Sequence, residues 1–69
     1  MRNEIKARIE ILEGFVEANE QIIKREKENI ANADSAKKIQ ESVKRIEKYI
    51  RENETYNYTI KVLKIILTK

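Results

Sequence analysis

An all-α fold is what this sequence predicts: an antiparallel helical hairpin with a third, C-terminal helix, closing into a small self-associating three-helix bundle. Three observations predict it. Charged residues make up 39% of the chain, with one glycine and no proline, a composition that suits long helices and not turns or sheets. Apolar residues recur at coiled-coil spacing, in steps of four, three, four, seven and seven from Ile5 to Ile30 and of three, four, three and four from Ala36 to Ile50. The one clear break, Ala31-Asn32-Ala33-Asp34-Ser35, lies almost at the midpoint, so the two arms have similar length.

Helix 1 is expected over about 3–31, with Asn3 as its N-cap and Glu4 facing the positive helix end. Its first apolar stripe is Ile5, Ile9, Leu12, Val16, Ile23 and Ile30, a coiled-coil seam in which Asn19 and Glu26 are the polar positions. A buried Asn in such a seam lowers stability and fixes register or partner number. A second stripe, Ile11, Phe15, Ala18 and Ile22, means that helix 1 is covered from two sides. Gly14 shares a face with Ala7, Ile11 and Ala18. That face is either a ridge of small residues open to close approach or an exposed back carrying a tolerated glycine. Asn32 is expected to close the helix in the left-handed conformation.

Helix 2 is expected over about 35–53, capped by Asp34 or Ser35 without a full capping box. Its apolar row is Ala36, Ile39, Val43, Ile46 and Ile50, with Tyr49 broadening the face. Folding the chain back at residue 33 or 34 sets this row against the helix 1 seam and brings Phe15 and Ile22 to the side of Tyr49.

The segment 55–69 carries two patterns. Tyr56, Tyr58, Ile60 and Val62 alternate as in a strand, whereas Tyr56, Ile60, Leu63 and Leu67 step by four, three and four as in a helix, with Val62 and Ile66 as a second row. A lone strand would leave both edges unpaired, so helix is the expectation. The row from Ala36 to Ile50 must shift phase at Asn53 to reach Tyr56. Either a break falls at 53–55, giving a third helix that fills the groove, or helix 2 continues with a local distortion into a hairpin that dimerises. The first layout is the one the sequence favours.

Function is bounded mostly by absences of residue types. At 69 residues the chain is at most one domain, and a core this small supplies roughly 3–5 kcal/mol, so such chains lean on disulfides, metals or partners. No cysteine and no histidine are present, which removes disulfides, sulfur-based zinc sites, the commonest metal ligand and the commonest general base. Glu10, Glu13, Glu17 and Glu20 line one face but lack the His of a di-metal bundle site, and no glycine-rich phosphate loop exists. No enzyme, cofactor, metal or small-molecule substrate is therefore expected. The richness in Lys, Glu and Ile leans towards a thermophile. MRNEIKAR has no apolar signal core behind it and no run approaches the ~20 residues of a membrane span, so a cytoplasmic location is the default.

Two functions are weighed. The first is a non-catalytic interaction or regulatory module that works by helix–helix association, with a second copy or a partner protein. Its interface residues are Ile11, Gly14, Phe15, Ala18, Ile22, Tyr49, Tyr56, Leu63 and Ile66. The second is a nucleic-acid-binding regulator using Lys37, Lys44, Lys48 and Arg51, a basic stripe interleaved with Glu41, Glu47 and Glu52. A net charge of +3 does not separate them.

Overall fold

A computed structural model describes residues 1–69 and shows two helices, α1 (Arg2–Ala31) and α2 (Ala36–Leu67), packed antiparallel as one long hairpin of 52 × 14 × 12 Å. There is no third helix: α2 runs without interruption through 53–55 to Leu67. The expected break fails because Asn53 is a buried seam residue and no terminator. Its side chain accepts a hydrogen bond from Asn19 and donates to the Val16 carbonyl oxygen. The β-branched residues that give 55–69 its strand-like look are also accommodated. The Thr55 hydroxyl donates to the Arg51 carbonyl and the Thr59 hydroxyl to the Thr55 carbonyl, one turn back along the helix.

On α1 the buried and half-buried side chains are Ile5, Ile9, Leu12, Val16, Asn19, Ile23, Glu26 and Ile30, with Ile22 beside them. This is the expected seam with both polar positions inside it. On α2 the seam is Ser42, Ile46, Tyr49, Asn53, Tyr56, Ile60, Leu63 and Leu67, in strict steps of four and three. It therefore differs from the expected row. Ala36, Val43 and Ile50 lie outside it, exposed on the flank; Ile46 belongs to both, and Ile39 keeps the seam register but is 38% exposed where the helices approach the turn. The true seam needs no change of phase between residues 42 and 67, because polar Ser42 and Asn53 occupy seam positions, Ser42 paired with Arg45 and Asn53 with Asn19.

The apolar core is confined to the end of the hairpin where the chain termini lie. Ile9, Leu12 and Ile60 are buried there and Ile5, Val16, Tyr56, Leu63 and Leu67 pack around them. Towards the turn, the buried positions are polar, Asn19, Glu26, Ser42 and Asn53, with Ile23, Ile30 and Ile46 half-buried among them. At the termini the Arg2 guanidinium donates to the Leu67 carbonyl oxygen at 3.0 Å, placing a cation on the negative end of α2.

The helix ends differ in detail from expectation. α1 begins one residue before Asn3, with Met1 at the cap position and no side-chain cap. Asn32 closes α1 with φ −104° and ψ 5°, not in the left-handed region; its side-chain amide instead donates to the Glu28 carbonyl oxygen at 3.0 Å. Ser35 caps α2, its hydroxyl accepting the Lys38 N–H at 3.3 Å, and Asp34 pairs with Lys38 at 2.9 Å on the surface.

Candidate functional site

The heptad seam divides the hairpin surface into two flanks, because residues just before and just after a seam residue point to opposite sides of it. In an antiparallel pair, the residues preceding the seam on one helix meet those preceding it on the other. Residues that follow the seam likewise meet, and Lys64 and Glu13 pair in this way at 3.6 Å on one flank; on the other, Phe15 brings its ring to 5.6 Å, centroid to centroid, from that of the seam residue Tyr56.

The Phe15 flank is apolar towards the chain termini; on α2 its middle carries Thr55 and Thr59, and towards the turn it carries Arg45, Lys48 and Glu52, each just before a seam residue. α1 supplies Ile11 and Phe15, each 48% exposed, with Ala18 exposed and Ile22 half-buried. From α2, Tyr49, Tyr56 and Leu63 reach this flank from half-buried seam positions, and Val62 and Ile66 border it with exposed side chains. The hairpin thus gathers Ile11, Phe15, Ala18, Ile22, Tyr49, Tyr56, Leu63 and Ile66 along one side. Gly14 does not join them. It lies on the back of α1, and a Cβ added there would meet nothing within 4 Å. Val62 is the apolar member that sequence reasoning left out of the set. Its position one residue before Leu63 could have placed it there.

The opposite flank is of another kind. α2 contributes exposed Val43 and Ile50, but the flanking positions of α1 are Lys6, Glu13, Glu20 and Lys27, all charged and exposed. An open groove of about 480 Å³ on this side is lined by Glu13, Glu17 and Glu20 together with Lys64. The acidic row Glu10, Glu13, Glu17 and Glu20 brings no three carboxylates together in a geometry that could hold a metal ion.

Lys37, Lys44, Lys48 and Arg51 are exposed on the outer side of α2 and make no ion pair. Lys37, Lys44 and Arg51 repeat every seven residues directly away from the seam, and Tyr58, 70% exposed, continues the line. The Lys48 ammonium lies over the Tyr49 ring at 5.4 Å from its centroid, a cation–π contact.

Two polar clusters cross the seam on the turn side of the core. In one, the Asn19 amide donates to Asn53 at 3.0 Å and to Glu52 at 3.3 Å. In the other, Arg45 donates to the Glu26 carboxylate at 2.8 Å and to the Ser42 hydroxyl at 3.3 Å, while Asn29 also donates to Glu26. The Arg45 hydrogen bond, with smaller help from Ser42, Arg45's charge and Asn29, holds the Glu26 carboxyl below its ordinary range against the opposing effect of desolvation. Every buried side-chain polar atom has a partner. Both clusters pair their buried groups with one another across or along the seam. No helix is long and apolar enough to cross a membrane. Compared with known proteins, the chain matches no family model, no curated sequence and no solved structure.

Proposed function

We propose that the hairpin is a small non-catalytic interaction module that acts by burying its Phe15 flank against helices of another protein chain. The observation that carries this is the apolar side built jointly by α1 and α2 and covered by neither: Phe15 remains 48% exposed although its ring already touches Tyr56. Contiguous exposed apolar patches on small domains mark interaction sites, and aromatic side chains at the centre of such a patch are the usual anchors. The satisfied polar clusters support a structural rather than a chemical use of the seam.

The test compares the full wild-type chain with a Phe15→Glu/Ile66→Glu variant by sedimentation velocity and by binding of an apolar fluorescent dye. Both substituted side chains are half-exposed, so helical circular dichroism should persist. The wild-type chain should either associate or bind the dye, and the variant should do neither. Identical behaviour of the two proteins sinks the proposal.

A second reading is favoured by one observation, the line of Lys37, Lys44 and Arg51 with Tyr58 beyond them, none of the cations paired. Such a line can follow a phosphate backbone, and its affinity would fall steeply with salt. Fluorescence anisotropy of labelled duplex DNA and RNA at low salt, with Lys44→Glu/Arg51→Glu as control, decides it. No binding at low salt removes nucleic acid as the ligand.

A further inference from the structure

The Phe15 flank raises the question of what covers it. We propose that the occupant is a second copy of this chain, and that two hairpins close face to face on this flank into a four-helix bundle; this rests on the interaction reading above.

The first support is surface area. A folded monomer of 8.2 kDa is expected to expose roughly 4,500 Å². The hairpin exposes 5557 Å². The excess, about 1,000 Å², is close to the ~800 Å² that each partner hides in a standard protein–protein interface. Compactness gives the same result. The radius of gyration is 15.8 Å, against about 11 Å for a compact domain of this length. Only Ile9, Leu12 and Ile60 are buried apolar residues, a core too small for a typical free-standing domain. A second copy supplies what is lacking without requiring another gene product.

The second support is the patch's place along the rod. Phe15 falls near the middle of α1 (Arg2–Ala31), and Tyr56 is in contact with it across the seam. A closed two-fold dimer uses the same patch on both subunits. On α1 the patch is centred, and on α2 it runs from Tyr49 to Ile66 in the last turn, so two hairpins joined on it overlap along much of their 52 Å length. The patch is also bracketed on α1 by the charged, exposed residues Arg8 and Arg25, matching the apolar centre and polar rim of stable interfaces.

The opposite flank does not fit the same role. Its exposed apolar residues Val43 and Ile50 come from one helix only, and the facing α1 positions Lys6, Glu13, Glu20 and Lys27 put charges along its whole length, whereas the α2 charges on the Phe15 flank, Arg45, Lys48 and Glu52, are confined to the half towards the turn. The two flanks therefore make different predictions for substitutions of equal severity.

Sedimentation equilibrium on the full chain, read together with dye binding, tests this. The wild type should sediment at twice its 8.2 kDa mass without binding the dye. Phe15→Glu/Ile66→Glu should raise the dimer dissociation constant at least ~30-fold while keeping helical circular dichroism. Val43→Glu/Ile50→Glu on the other flank should leave it within a few-fold. A wild-type monomer at millimolar concentration that binds the dye through Phe15 overturns self-association and leaves the interaction module standing with a different partner. A wild-type monomer that binds no dye and is indistinguishable from the Phe15→Glu/Ile66→Glu variant overturns both. A dimer broken by the Val43→Glu/Ile50→Glu change and not by the other overturns the assignment of the flank.

Discussion

Asn19 and Asn53 meet side chain to side chain across the seam, the Asn19 amide donating to the Asn53 oxygen at 3.0 Å, with both residues buried. The Asn53 amide in turn donates to the Val16 carbonyl oxygen. One polar pair thus replaces an apolar layer at the middle of the hairpin, and it fixes which residues of α2 face which residues of α1. Slipping the pairing by one heptad would separate the two amides and set Asn19 against Ile46 or Ile60.

Truncating one member should cost more than removing both. Asn19→Ala or Asn53→Ala leaves a buried amide unpaired and should destabilise the hairpin by about 1–3 kcal/mol. The paired change Asn19→Leu/Asn53→Leu should recover most of that loss, or exceed wild-type stability, while relaxing register and oligomer number. Urea unfolding of the three variants, with sedimentation to count chains, checks this. An additive loss in the double variant would contradict it.

Glu26 should make stability depend on acid. Arg45, Ser42 and Asn29 hold its folded-state pKa below the ordinary 4.5. A lowered carboxyl pKa contributes stability that is fully present above the unfolded value and is lost as pH falls through the folded one. The stability gap between wild type and Glu26→Gln should therefore be constant near neutrality and close as pH falls below about 4.5. Chemical unfolding of both proteins across that range is the measurement. A gap that widens towards acid would reverse the assigned sign.

Gly14→Ala should stabilise. The residue sits inside α1 with no positive φ, and an added Cβ meets nothing within 4 Å. The expected gain is about 1 kcal/mol, seen as a higher unfolding midpoint with unchanged association. A loss of association would instead place a partner on the back of α1.

Leu12→Ala should unfold the terminal end first. Leu12 is among the three buried apolar residues, so its truncation should cost about 2–5 kcal/mol. Hydrogen exchange should show the amides around Leu12 and Ile60 losing protection ahead of those near the turn. Uniform loss along both helices would mean that the hairpin unfolds as one cooperative rod.

The seam of α1 is legible from sequence because six of its eight positions are apolar and the other two, Asn19 and Glu26, break the row without moving it. The seam of α2 is harder to read for a physical reason. Ser42 and Asn53 occupy seam positions, and their burial is tolerable only because Arg45, Asn19 and Val16 supply partners. A row judged by apolarity alone passes over them and picks up Val43 and Ile50, which lie outside the seam. The same substitution of rows creates the false phase shift at Asn53, and with it the third helix that the structure lacks. The apolar residues on the Phe15 flank were recoverable, since Ile11, Phe15, Ala18 and Ile22 repeat at helical spacing whatever covers them. Gly14 was not separable from that set by spacing, because its neighbours in sequence include members of both faces.

The hydrogen bond from Arg2 to the Leu67 carbonyl oxygen has a mechanical consequence. The first and last turns of the hairpin are pinned together, and the Asn32–Ser35 bend lies at the far end of a 52 Å rod. Grafted by residues 1 and 69 into a surface loop, such a rod would project as a boom from a narrow base, spreading that loop by little more than two helix widths. Whatever was carried at its tip would be held some 52 Å from the host.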